Sequence, residues 1–68
     1  MSVALGYYRH YKGERYRVLT TATHESTGET LVIYWGNGRT WAREVSNFMS
    51  TVTVAGVTVR RFAAEETT

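Results

Sequence analysis

The residues of this 68-residue chain whose types could do chemistry fall into two clusters. His24, Glu25 and Ser26, with Glu29 close behind, offer a base, an acid and a hydroxyl nucleophile. Hydrolysis needs such groups converged in space, together with something to hold the transition state. Side by side along the chain, and next to Gly28, they read instead as a polar turn whose hydroxyls bond the backbone. There is no G-x-G-x-x-G and no Walker loop. The chain is therefore read as a non-enzyme with no catalytic residue. With no Cys, the candidate metal ligands are His10, His24, Glu25 and Glu29. Two His on separate segments are read as hydrogen-bonded side chains, so neither a metal nor a cofactor is expected.

The second cluster is denser. From Tyr7 to Val18 the chain holds four of its five tyrosines, four of its eight cations and one of its two histidines. At a period of two, Tyr7, Arg9 and Tyr11 share one strand face, while Tyr8, His10 and Lys12 share the other. Aromatic bodies can pack and guanidinium forks can hold phosphate or carboxylate. That combination points to an anionic ligand with flat rings. The alternative is that most of the rings are core, as expected above all for Tyr16, Trp35 and Phe62.

Positioning these groups requires a β framework. The expected strands are 6–12, 15–23, 30–35, 40–43, 51–54 and 57–62, with turns at Lys12-Gly13-Glu14, 24–29, Gly36-Asn37-Gly38 and Ala55-Gly56. Strand 30–35 is apolar on both faces, as a covered central strand would be. Ser46 is placed to cap one helical turn. In 57–62 the apolar residues switch phase, which calls for a bulge or an inward Arg60 or Arg61. These elements predict an all-β fold: a small SH3-like barrel of five to six short antiparallel strands with one helical turn. Residues 1–5 are read as a lead-in and 63–68 as a tail. Val18, Leu31, Ile33, Val52 and Val59 are the expected core.

Size and charge narrow the partners. A domain this short buries only about 60% of its unfolded surface, and without Cys it has no disulfide staple. Self-association as a homo-oligomer is expected, with a ligand pocket forming between subunits. The longest apolar run is far short of a membrane span, and residues 1–5 do not resemble a signal peptide. No membrane partner and a cytoplasmic location are the expectations. Net charge is +2, and residues 9–17 set four cations against Glu14. Long duplex nucleic acid usually demands more charge than this.

With the segments placed, the chain resembles the DUF1653 family, small bacterial domains of unknown function. The family pattern G-x-Y-x-H-Y-K-G-x-x-Y-x-V is met by Gly6, Tyr8, His10, Tyr11, Lys12, Gly13, Tyr16 and Val18. Looser matches continue through His24, Leu31, Val32, Tyr34, Trp41, Arg43 and Phe48 to Arg61 and Phe62. The sequence departs at Glu25-Ser26, where the family order is reversed, and in the shorter segment from Tyr34 to Trp41. Glu44 and Arg60 stand where the pattern has Pro, and Ser50 where it has Glu. The resemblance implies an SH3-like fold and brings no activity with it.

Function is therefore argued from the residues. The expected ligand surface comprises Tyr8, His10, Lys12, Trp41, Arg43 and Arg61. Arg43 and Arg61 would hold phosphate or carboxylate groups, and Tyr8 or Trp41 would stack on a base. The alternative for Arg43 is a bracing ion pair with Glu29 or Glu44. The chain is read as a binding module for a small anionic, nucleotide-type ligand, sequestering it rather than turning it over. A peptide-binding adaptor and a short single-stranded nucleic-acid binder are the alternatives.

Overall fold

The computed structural model describes residues 3–65. Seven strands and one helical turn follow in order: β1 (Gly6–His10), β2 (Arg15–Thr23), β3 (Thr30–Gly36), β4 (Arg39–Glu44), α1 (Val45–Phe48), β5 (Thr51–Val54), β6 (Val57–Arg60) and β7 (Phe62–Ala64). Five form one antiparallel sheet in the order β4-β3-β2-β1-β7, and β5 pairs with β6 in a separate ribbon. The all-β expectation holds, including the helical turn, but the strands do not close into a barrel. The expected strand 57–62 is in fact two. Its phase switch falls at Arg61, where the backbone breaks, and the two halves take different partners. β6 pairs with β5, and β7 with β1.

Local chemistry explains the connections. Asn37 and Gly38 both take positive φ (50° and 78°), the two-residue turn that matches strand twist. Ala55 and Gly56 repeat it at 50° and 80°, although Ala gains nothing from the left-handed region. In β2 the register slips between Val18 and Thr20, so Leu19 is the bulged residue and stands 41% exposed. Ser46 is not a cap. Glu44 occupies the N-cap position and makes no side-chain bond there, so the single turn of α1 rests on burying Val45 and Phe48. Ala63 and Ala64, expected in a tail, belong to β7, and the Glu65 amide bonds the Tyr7 carbonyl at 2.9 Å. Tail residues 66–68 and lead-in residues 1–2 lie outside the described residues. Val3, also in the expected lead-in, packs against the core.

The core is aromatic. Tyr8, Val18, Val32, Tyr34, Val45, Phe48 and Phe62 are buried. Phe48 stacks on Phe62 with centroids 4.1 Å apart, Tyr8 meets Phe48 edge-on at 5.2 Å, and Tyr34 meets both phenyl rings at 5.6 and 5.5 Å. Such pairs are worth about 0.5–1.5 kcal/mol each beyond their buried area. The expected core holds only at Val18. Leu31, Ile33, Val52 and Val59 are half-buried. In β3 the inward phase is Val32 and Tyr34, one residue off, because the core is built around the Tyr34 ring and not the aliphatics. The outer face of β3 is only partly covered, and Trp35 is 49% exposed where a core position was expected. Among the described residues no helix is long and apolar enough to cross a membrane.

Candidate ligand-binding site

The inner face of the sheet ends in a hollow of about 330 Å³, bounded by the β1–β2 turn, β4 and the Arg61 break. Five of the six expected residues line it: His10, Lys12, Trp41, Arg43 and Arg61. They arrive from three separate segments: the end of β1 with the turn after it, β4, and the break between β6 and β7. His10 closes β1, where its amide bonds the Glu14 carbonyl at 2.8 Å and Gly13, at φ 106°, turns the chain. Trp41 and Arg43 alternate along β4, paired across β3 with Tyr34 and Val32 respectively. Arg61 is carried by the break, its carbonyl accepting from the Tyr11 amide at 3.0 Å.

Tyr8 is the exception. It shares a strand face with His10, as expected, but that face runs from the interior out to the rim. Tyr8 lies at the inner end, 8% exposed, with its hydroxyl donating to the Ala4 carbonyl at 2.8 Å. It supports the core and does not line this hollow. Tyr11, Tyr16, Tyr34 and Phe62 line the hollow alongside Glu14. Tyr16 is half-buried, edge-on to Tyr34 at 5.3 Å, and reaches that position because the residue opposite is Gly36. A Cβ on Gly36 would run into the Tyr16 ring.

The two guanidiniums are tied to one short segment. Arg43 Nε donates to the Tyr34 hydroxyl at 3.2 Å, and its Nη1 donates to Asn47 Oδ1. Arg61 Nε donates to Ser50 Oγ at 2.9 Å, and Ser50 Oγ in turn donates to the Asn47 carbonyl at 2.6 Å. Each partner in this network is neutral. Arg43 thus braces the fold through Tyr34 and Asn47, and not through the ion pair with Glu29 or Glu44 that the sequence offered. Among the described residues, the ion pairs are those of Arg9 and Arg15 with Glu65. The cations of the hollow keep their charge uncompensated except by Glu14 nearby. The Asn47 and Ser50 contributions escape sequence reading, since both residues pass for ordinary helix-end polar groups.

Aromatic packing fixes the remaining groups. His10 sits edge-on to Phe62 at 4.9 Å and tilts against Tyr11 at 4.6 Å. Its Nδ1 accepts the Lys12 amide at 3.2 Å, which leaves Nε2 as the donor nitrogen of the neutral ring. Burial holds the His10 imidazole below its ordinary range. Glu14 opposes that shift, while Arg43, Lys12 and Arg61 reinforce it. Burial pushes the Tyr16 phenol up, and Glu14 adds to the effect. Trp41 donates Nε1–H to the Gly36 carbonyl at 2.9 Å, which pins an indole that is still 36% exposed.

The other cluster is a turn. His24 Nδ1 accepts the amides of Ser26 and Thr27 at 3.2 and 3.3 Å, and Thr27 Oγ1 accepts the Glu29 amide at 3.2 Å. Its polar groups serve the backbone. Among the described residues, no group of three His, Asp or Glu side chains is placed to share a metal ion.

Comparison with known proteins agrees with the architecture. A crystal structure of a DUF1653 protein from Bordetella bronchiseptica superposes with a TM-score of 0.83 at 29% identity, covering 94% of this chain and 88% of that one. No curated protein matches. The model of the DUF1653 family, described as a protein of unknown function, matches residues 6–64. Nearly the whole chain is spanned, and the chain belongs to the DUF1653 family.

Proposed function

We propose that this chain is a non-enzymatic binding module that holds a small anionic, nucleotide-type ligand in the hollow, sequestering it without turnover. One observation carries the reading: Arg43 and Arg61 are oriented by neutral partners around a shared hollow. A guanidinium held in place but not neutralised is poised for phosphate or carboxylate, because little of its charge must be released from a competing acid. Lys12 adds a third cation and His10 a donor N–H, while the pinned Trp41 indole offers a face for a base. A volume of about 330 Å³ lies at the small end of ligand pockets, the scale of one mononucleotide. The hollow is formed within a single chain, so a second subunit is not needed to create it.

Native mass spectrometry of the protein purified from cells is the first test. Retention of a nucleotide-sized mass supports the proposal. A bare chain that also gives no heat with nucleoside mono- and triphosphates or cyclic mononucleotides contradicts it. The chain is also proposed to self-associate, since Val54 and Val57 stand 45% and 60% exposed at the tip of the β5–β6 ribbon. A stable monomer in sedimentation velocity at micromolar concentration would contradict that. A cytoplasmic setting is proposed from the absence of Cys alone.

A further inference from the structure

The outer face of the sheet carries a second cationic and aromatic surface, on the side away from the hollow. Cross-strand pairing sets Tyr7 beside Arg17 and Arg17 beside Trp35, and the next rung sets Arg9 beside Arg15. The Arg15 guanidinium lies over the Tyr7 ring with Cζ 3.8 Å from its centroid. Tyr7 is 38% and Trp35 49% exposed. Glu65 answers Arg15 at 2.9 Å and Arg9 at 3.9 Å, while among the described residues Arg17 has no ion pair. Among the described residues, three guanidiniums therefore stand against one carboxylate.

Rings and guanidiniums alternating across an open sheet match a polymer whose repeat is a flat base and a phosphate. Tyr7 and Trp35 are two strand spacings apart, about 10 Å, so one base cannot cover both. Successive bases of a strand can. Duplex ends this match, because its bases are stacked on one another and present no free faces. We propose that this outer face binds single-stranded nucleic acid without sequence preference. Bases stack on Trp35 and on the Tyr7–Arg15 pair, and phosphates meet Arg9 and Arg17. This site is independent of the ligand proposed for the hollow.

Fluorescence anisotropy with labelled oligo(dT) and oligo(U), from about 50 to about 200 mM salt, tests it. Trp35→Ala is expected to weaken binding roughly 5- to 150-fold, and Trp35→Phe, which keeps a ring, much less. Arg17→Ala should reduce the slope of log affinity against log salt by about 0.7. Arg60→Ala, on β6 and outside both surfaces, should leave both quantities unchanged. Melting curves accompany each variant, and Arg17→Ala, at an exposed position, keeps the test valid if Trp35→Ala unfolds. Absence of oligonucleotide binding at low salt would overturn the proposal. So would equal affinity for duplex, or binding weakened by Arg60→Ala but not by Arg17→Ala.

Discussion

Replacing Arg43 by Ala should separate what this residue does for the fold from what it does for a ligand. The substitution removes the bond to the Tyr34 hydroxyl at 3.2 Å, the bond to Asn47, and a guanidinium 5.4 Å from the Phe62 ring. The Tyr34 bond is part-buried and the Asn47 bond exposed, so at about 0.5–1.5 kcal/mol per hydrogen bond the loss is about 1–2 kcal/mol. For a domain of this size each kcal/mol moves the melting temperature by about 4–8 °C, which places the variant about 4–16 °C lower. On the ligand side, a charge-assisted contact is worth about 1.5–3 kcal/mol, or roughly 10- to 150-fold in affinity. Arg43→Lys keeps the charge but loses the fork, and should fall between Ala and wild type in both readouts. Melting curves and calorimetry against mononucleotides, run well below the lower midpoint, give the two numbers separately. A variant melting with wild type would refute the bracing role. A lower midpoint with unchanged binding would make Arg43 purely structural.

Gly36→Ala should cost about 1–3 kcal/mol by overpacking, since the new Cβ meets the Tyr16 ring; an unchanged midpoint would show that the ring gives way freely. Ala55→Asn should raise stability by a fraction of the roughly 1–2 kcal/mol that the left-handed conformation costs, as read from chemical denaturation. His10 titrates below its ordinary range in the fold, so the unfolded chain binds the extra proton in that window. Stability should be fully present above about pH 6.5 and be lost as the pH falls through the depressed value, a loss that His10→Gln should remove. An anion in the hollow offsets the cations that depress His10. Binding should take up protons and tighten toward lower pH, and calorimetry in two buffers of different ionisation enthalpy giving identical heats would contradict this.

Much of the framework was legible from local chemistry. The span of β2 and the Asn37-Gly38 and Ala55-Gly56 turns follow from β-branched runs and turn residues. The phase of β3 was not, because Leu31 and Ile33 are at least as apolar as Val32 and Tyr34, and only packing onto Phe48 and Phe62 decides between them. For the site, residue type and period two placed His10, Trp41 and Arg43 on the faces that border the hollow. Lys12 borders it for another reason, since β1 ends at His10, short of the expected strand 6–12, and Lys12 comes from the turn that follows, together with Tyr11. Tyr8 was misplaced because periodicity gives the face of a strand but not the depth along it. Arg61 was marked by its phase switch. What holds it could not be read, since the bond to Ser50 spans eleven residues and depends on the break between β6 and β7.

Ser50→Glu tests the central claim most directly. It puts a carboxylate, the residue of the family pattern, where Arg61 now meets a neutral hydroxyl. Calorimetry against mononucleotides and thermal melting are measured on wild type and variant together. If the hollow works through an uncompensated Arg61, the new ion pair should largely offset the lost Ser50–Asn47 bond, keeping the melting temperature within a few degrees of wild type, while weakening nucleotide binding roughly tenfold or more. A variant that melts normally and binds as tightly as wild type would show that the charge of Arg61 is not what the ligand uses.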